Sequence, residues 1–341
     1  MRRRTLLVGA ALLVATASQA SARPPAAEGV TVVGDVAVFY YPWYGNPSYD
    51  GAYRHWGQNG NAPPASIASG YFPARGIYSS SDRSLLRGHM EDLTSAGATT
   101  IVVSWWGPGS IEDDRFAIVV EQARAHGLRV ALHVEPYAGR TPAGVVDELA
   151  RLRPFGISDV YVYDSANAPD AEWREANARV DGMRVFAHTA LPGKAAAGGF
   201  DGLYTYDVLS YDGSSFGRMC NGARKLGLLC APSVGPGFDA RRATGDPRVR
   251  PREAGATYDR MWRSAIRAAA DVVTVTSYNE WHEGTQIEPA RAAGRPYACY
   301  DGAWGLRGPP AERAYLDRTA LWAERYGERL AQYRAAASLR R

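Results

Sequence analysis

Residues 276–290 read TSYNEWHEGTQIEPA, and they place Glu280, Glu283 and Glu288 within nine positions of one another, with Trp281 and His282 between the first two. Carboxylic acids close together in a partly dry site repel each other's ionisation, so one keeps its proton while the other is charged. Such a pair supplies a general acid and a base or nucleophile, the equipment for breaking a glycosidic bond. Other chemistries lack their parts. HEGTQ has no second histidine for an HExxH zinc site, and no GxSxG elbow is present. Lys194 and Lys225 are the only lysines, and neither lies at a strand end, which counts against a Schiff-base lyase or aldolase.

Glu280 ends, and the other two acids follow, DVVTVTSYNE (271–280), a run with an apolar start that reads as a buried strand. Seven similar runs precede it: 36–41, 99–106, 128–135, 159–164, 184–189, 201–207 and 228–234. Helical stretches alternate with them at 83–96, 113–126, 143–153, 170–179, 215–226 and 254–269, and a last one spans 312–335. The fifth unit is the thinnest, because ALPGKAAAGG offers little helix. Eight strands alternating with helices predict a parallel α/β fold, and 30–335 is long enough for a (β/α)8 TIM barrel. A doubly wound sheet would carry a glycine-rich turn after its first strand; here the strand runs into the bulky YPWYGNP. Long loops are expected at 42–82, 235–253 and 281–311.

In a barrel the C-terminal strand ends converge on one face. Collected there are Tyr40, Tyr41, Trp43 and Tyr44; Trp105 and Trp106; His133, Glu135 and Tyr137; Tyr163 and Asp164; Tyr204, Tyr206 and Asp207; and Asn279 to Glu283. His55 and Trp56 join from the first loop. Acids among aromatic rings suit a sugar, which has apolar faces and polar edges. Each residue also has a plainer reading. Glu280 could be a structural ion-pair partner, Glu283 a solvated loop acid, Glu135 a partner for Arg140 and His282 a structural histidine. Trp105 and Trp106 point to opposite sides of a strand, so one belongs to the core.

With 46% hydrophobic and 22% charged residues the chain is an ordinary globular protein, and its net charge of +4 is scattered, which gives no nucleic-acid footprint. Residues 1–22 read as an export signal of Sec or twin-arginine type, with three leading arginines, an apolar run and Ala20-Ser21-Ala22 for cleavage. The run is too short for a membrane span, and no lipid-anchor cysteine lies near it. The expected organisation is a signal at 1–22, a short lead at 23–35, a catalytic barrel at 36–335 and a tail at 336–341, with secretion as the destination. Cys220, Cys230 and Cys299 allow one disulfide and leave one thiol, the pairing open.

The motifs together resemble glycoside hydrolase family 99, the endo-α-mannosidases and bacterial endo-α-1,2-mannanases. VFYYPWYGNPSYDGAYRHWGQ, YFPARGIYSSSD, HMEDLTSAGATTIVVSWWG, ALHVEPYAGRT, VYVYDS, FDGLYTYD, PSVGPGFDARR, YDRMW and VTSYNEWHEGTQIEPA occur in family order between about 36 and 290. The resemblance implies a (β/α)8 barrel, no cofactor or metal, and retaining cleavage of internal α-mannosidic linkages in an α-mannan or oligomannoside. It implies that Glu280 assists the substrate's own 2-hydroxyl in attacking the anomeric carbon, giving a 1,2-anhydro sugar, and that Glu283 is acid and then base. Glu135 and Tyr206 match substrate-contacting positions; Tyr44, His55, Trp106, Tyr163, Asn279 and Trp281 are further binding candidates. The segment VLSYDGSSFG after FDGLYTYD matches the family less closely. A catalytically silent carbohydrate-binding barrel, or a hydrolase of another α-linked polysaccharide, is the alternative.

Overall fold

The computed structural model describes residues 34–338; the expected export signal at 1–22 and most of the expected lead at 23–35 lie outside them. Eight parallel strands form the sheet: β1 Asp35–Tyr40, β2 Thr100–Trp105, β3 Arg129–Val134, β4 Asp159–Val162, β5 Arg184–His188, β6 Gly202–Tyr204, β7 Leu229–Val234 and β8 Val272–Val275. β1 to β7 pair in sequence order. Proline lacks the ladder N–H, and Pro232 splits β7 into Leu229–Ala231, which pairs with β6, and Ser233–Val234, which pairs with β8. β8 returns to β1, with Asp35 opposite Val272, so the ring closes as a (β/α)8 barrel.

Helices α1 Arg83–Ser95, α2 Ile111–Ala125, α3 Pro142–Leu152, α4 Asp170–Asn177, α5 Pro192–Ala197, α6 Phe216–Lys225, α7 Ala256–Arg267 and α8 Ala314–Ser338 follow the strands. Asp82, Ser110 and Thr141 cap the first three, their side-chain oxygens accepting backbone N–H groups. α5 is only 6 residues long, since its glycines and small side chains offer little apolar face. Cys220 and Cys230 form a disulfide between α6 and β7, and Cys299 is free.

Aromatic rings fill much of the barrel interior. Phe39 packs on the rings of His133, Tyr161, Tyr204 and Tyr206 with centroids 4.6 to 5.9 Å apart. Branched aliphatic residues usually dominate this space; here hydroxyl and imidazole groups carry polar atoms upward toward the open face. The long loops are ordered by pairing with one another. Phe72–Pro73 of the first loop pairs with Ala290–Arg291 of the last, and Phe238–Asp239 pairs with Val249–Arg250.

Candidate active site

β8 ends at Val275, and the chain then folds back tightly instead of continuing as a strand. The Ser277 N–H donates to Thr285 O (3.0 Å), Ile287 N–H to Ser277 O (2.9 Å) and Glu288 N–H to Tyr278 O (2.8 Å). Both acids ride on this turn. Its underside is bolted to the barrel by Asn279, whose amide exchanges hydrogen bonds with the N–H and C=O of Tyr41 (2.8 and 2.9 Å) as a neighbouring strand would. The Tyr44 hydroxyl donates to Asn279 O and accepts the Trp281 N–H, both at 3.1 Å. The Trp281 indole donates to Glu288 (2.9 Å), which also accepts from Tyr78 (2.8 Å) and faces His89 Nε2 at 3.2 Å. Glu288 is thus an acceptor in a fully buried network, not a third acid at the cavity.

Gly284 closes the turn with φ of +65°, and a Cβ there would meet the Asp239 backbone at about 3.0 Å. The missing side chain lets the Asp239 N–H reach Glu283 O at 2.7 Å, so the 235–253 loop rests directly on the residue carrying the second acid.

Around the turn the other strand ends complete a bowl. Glu135, after β3, accepts from Ser104 Oγ (2.8 Å) and lies 2.9 Å from His133 Nδ1; Arg140 instead donates to the Val134, Tyr163 and Asp164 carbonyls. Tyr206 shares a short hydrogen bond with Tyr41 and stacks on His133 at 5.4 Å. Tyr163 stacks on His188 at 4.5 Å and donates to Asp207 at 3.3 Å. Trp43 and His55 stack at 4.6 Å, with His282 alongside. A cavity of about 580 Å³ opens beside Glu283, walled by Asp207 to Ser210, Phe238, Asp246, Arg248, His282 and Glu283 among others; Glu280 does not line it. Trp105 is in the core and bonded to Asp113 (2.8 Å), whereas Trp106 is 37% exposed.

Electrostatics set the acids apart from ordinary carboxylates. Burial, then repulsion from Glu283, holds the Glu280 carboxyl well above its usual range. Burial, then the charges of Asp207 and Glu135, pushes Glu283 up to about 8, against a smaller opposite effect from the Tyr206 hydroxyl. Burial lowers His282 to about 4, so this imidazole is neutral at pH 7 and does not offset the acids. The pair therefore carries at least one proton at neutral pH. The Glu280 carboxylate accepts the His282 N–H at 3.1 Å, and the Glu283 amide also favours its charged form.

Glu280, Glu283 and Glu135 act on one another's charge, Tyr163 and Tyr206 pack together beside Glu283, and His55 stacks on His282, whereas Trp106 is exposed just past β2 and Tyr44, Asn279 and Trp281 are fully buried and brace the turn from behind. Sequence reasoning put Asp207 at a strand end without assigning it to the site, and did not single out His188 or Tyr41 as site residues. The alternation in FDGLYTYD was the available signal for Asp207, since it lies next to Tyr206 where β6 opens into a loop. Among the described residues no group of three or more His, Cys, Asp or Glu side chains could hold a metal ion.

A closed (β/α)8 barrel with two proton-sharing acids on one strand-end turn, ringed by tyrosine and tryptophan, has the layout of a glycoside hydrolase. The match to known proteins gives the same answer. The family model described as glycosyl hydrolase family 99 matches residues 32–328. A glycoprotein endo-alpha-1,2-mannosidase-like protein of Danio rerio is 31% identical over 88% of this chain and 80% of its own length. Glycoprotein endo-alpha-1,2-mannosidase of Xenopus laevis is 30% identical over 86% of this chain and 77% of its own. The solved structure of the family 99 endo-alpha-mannosidase from Bacteroides thetaiotaomicron superposes with a TM-score of 0.77 at 29% identity, covering 86% of this chain and 98% of that one. The chain belongs to glycosyl hydrolase family 99 and is a glycoside hydrolase.

Proposed function

We propose that the protein is an exported, endo-acting hydrolase of internal α-mannosidic linkages in an α-1,2-mannan or a mannosylated or glucosylated oligomannoside. The observation that carries the mechanism is the pair Glu280 and Glu283, held on one turn, both raised in proton affinity and close enough for Glu283 to repel the charge on Glu280. Family membership, with relatives named as endo-alpha-1,2-mannosidases, supports the linkage. The sequence of residues 1–22 supports export, and the Cys220–Cys230 disulfide suits an oxidising compartment.

The proposed reaction requires the one negative charge on Glu280, whose carboxylate two backbone amides serve, and the proton on Glu283, which faces Asp207 and Glu135. Glu280 takes the proton of the substrate 2-hydroxyl, and that oxygen attacks the adjacent anomeric carbon. The bond to the leaving oxygen breaks as Glu283 delivers its proton there. Water then attacks the anomeric carbon of the 1,2-anhydro sugar and gives a proton to Glu283. The strained ring opens, and its oxygen recovers the proton from Glu280. Two inversions leave the configuration retained. Burial matters because both transfers occur away from bulk water, where a proton affinity near working pH serves donor and acceptor alike. Glu135, Tyr206 and Tyr163 hold sugar hydroxyls, and His55 and Trp106 offer ring faces at the edge of the bowl.

The test is to incubate the mature protein with a panel of α-mannans and glucosylated oligomannosides, size the products and read the anomeric configuration by NMR. Internal cleavage with retention is expected, and a substrate lacking the reacting 2-hydroxyl should not turn over. A covalent glycosyl ester trapped on Glu280, or release of single terminal sugars only, would overturn the proposal. Binding without any cleavage across the panel would favour the silent carbohydrate-binding alternative.

A further inference from the structure

Asp207 sits one residue past Tyr206, at the start of the segment that matches the family less closely, and shares the cavity wall with Glu283. Its carboxylate is held from two sides. Tyr163 donates to Oδ1 at 3.3 Å, and His188 Nε2 stands 3.3 Å from Oδ2. The Asp164 N–H points at His188 Nδ1 at 3.4 Å, so the Nε2 edge of the ring is the one turned to the Asp207 side. The imidazole and the phenol hydroxyl together fix the carboxylate against the wall of the barrel mouth. The cation on the facing loop is already occupied: Arg248 closes a two-pronged pair on Asp246, with contacts of 2.6 and 3.0 Å.

The other groups that act on Glu283 do not supply a locked charge on that same cavity wall. On its own turn, Glu280 exchanges a proton during the reaction and His282 is neutral. From β1 and β6 come the Tyr41 and Tyr206 hydroxyls, both driven well above the normal phenol range by burial and so uncharged. From β4 comes the Tyr163 hydroxyl, raised for the same reason. Glu135, after β3, is held in the same manner by His133 and Ser104, but it does not line the cavity wall that Asp207 shares with Glu283.

We propose that Asp207 is a positioning residue of an electrostatic kind: a pinned negative charge on the cavity wall that keeps the proton on Glu283 and thereby sets the upper pH limit of catalysis. Burial is the largest influence on the proton affinity of Glu283, and the fixed anion beside it adds to that effect. Burial opposes the Asp207 charge itself, but His188 and Tyr163 outweigh it and hold its carboxyl below the usual range, so the charge persists throughout the working pH window. The same charge makes Glu283 a stronger base in the second half of the reaction, when it must accept a proton from water.

The inference rests on Glu283 as the acid, and the experiment separates the two. The pH dependence of kcat/KM is measured for the wild type, D207N and E283Q, with thermal melts of each. Removing the anion lowers the proton affinity of Glu283, so the alkaline limb of D207N should move to lower pH by about one unit. If D207N fails to fold, D207S replaces it with the same expected direction. An alkaline limb that stays in place, or an activity loss uniform across pH, overturns the role of Asp207. E283Q with undiminished turnover removes the underlying assignment instead, whereas an inactive E283Q beside an unmoved D207N limb removes only the present inference.

Discussion

The two ends of the barrel both bury carboxylates, and they treat them in opposite ways. At the N-terminal ends of the strands, Asp35 accepts from Thr99 and Thr100 and pairs with Arg129 at 2.6 Å, while Asp159 pairs with Arg184. Arg184 also reaches Asp35 at 3.8 Å, which links the acids into one compensated network. At the C-terminal ends, Glu280 and Glu283 have no guanidinium against them, only amides, hydroxyls and a neutral imidazole. An acid paired with arginine is a fixed charge that holds structure. An acid buried without a cation has a proton affinity near neutrality and can pass a proton on. The fold is therefore held shut at one end, and the unfavourable electrostatics are confined to the end where the reaction occurs.

The sharpest way to break this comparison is to neutralise an acid at the open end. Glu283→Gln should lower kcat on an α-mannan by 10³-fold or thereabouts while the far-ultraviolet dichroism is unchanged. A substrate with an activated aryl leaving group, which needs no proton, should recover much of that loss in Glu283→Gln but not in Glu280→Gln. At the closed end the effect moves from rate to stability. Arg129→Ala removes one partner of Asp35; because Arg129 is 37% exposed and Thr99, Thr100 and Arg184 remain, it should cost about 1 kcal/mol in a denaturant titration, with kcat per folded molecule close to wild type.

A smaller effect follows from linkage. Glu283 has a folded pKa of about 8 against an ordinary value of 4.5, so the native state binds the proton more tightly than the unfolded chain. Its contribution is full below pH 4.5 and is lost as pH rises to about 8. The melting temperature of Glu283→Gln, which carries no charge at any pH, should therefore gain on the wild type between pH 5 and pH 9, and a constant difference would contradict the burial argument. The smallest change is expected at the rim. Trp106→Ala should raise KM by about tenfold or less, the size of one aromatic contact, without moving the pH profile.

Much of this was legible in the residues. Eight apolar runs between helical stretches were enough for the barrel, because strands covered on both faces have to be apolar throughout. The eighth run was read too long, to 280, since SYN looks like strand; the chain instead leaves the ladder after Val275, and Ser277 and Tyr278 bond to Thr285, Ile287 and Glu288. The seventh looked continuous, yet Pro232 divides it and thereby lets it join both neighbours. The region 291–341 showed a helix at 312–335, which is α8, but no part in the site; it supplies Tyr300, whose hydroxyl lies against the carbonyls of Gln286 and Glu288 at 3.2 and 3.0 Å. Such a long-range contact leaves no periodic mark in the chain.

Residue types and their order alone determined that two acids and a set of aromatic rings would meet at one end of a parallel barrel, because strand direction sends every C-terminal strand end to the same face. What each side chain does there was decided only by tertiary packing. Three glutamates in one short stretch look equivalent as letters, but Glu288 is enclosed by Tyr78, Trp281 and His89 while Glu280 and Glu283 are left without a cation. Proton affinity depends on the distance to charges and on the loss of water, and both are properties of the folded arrangement of segments far apart in the chain.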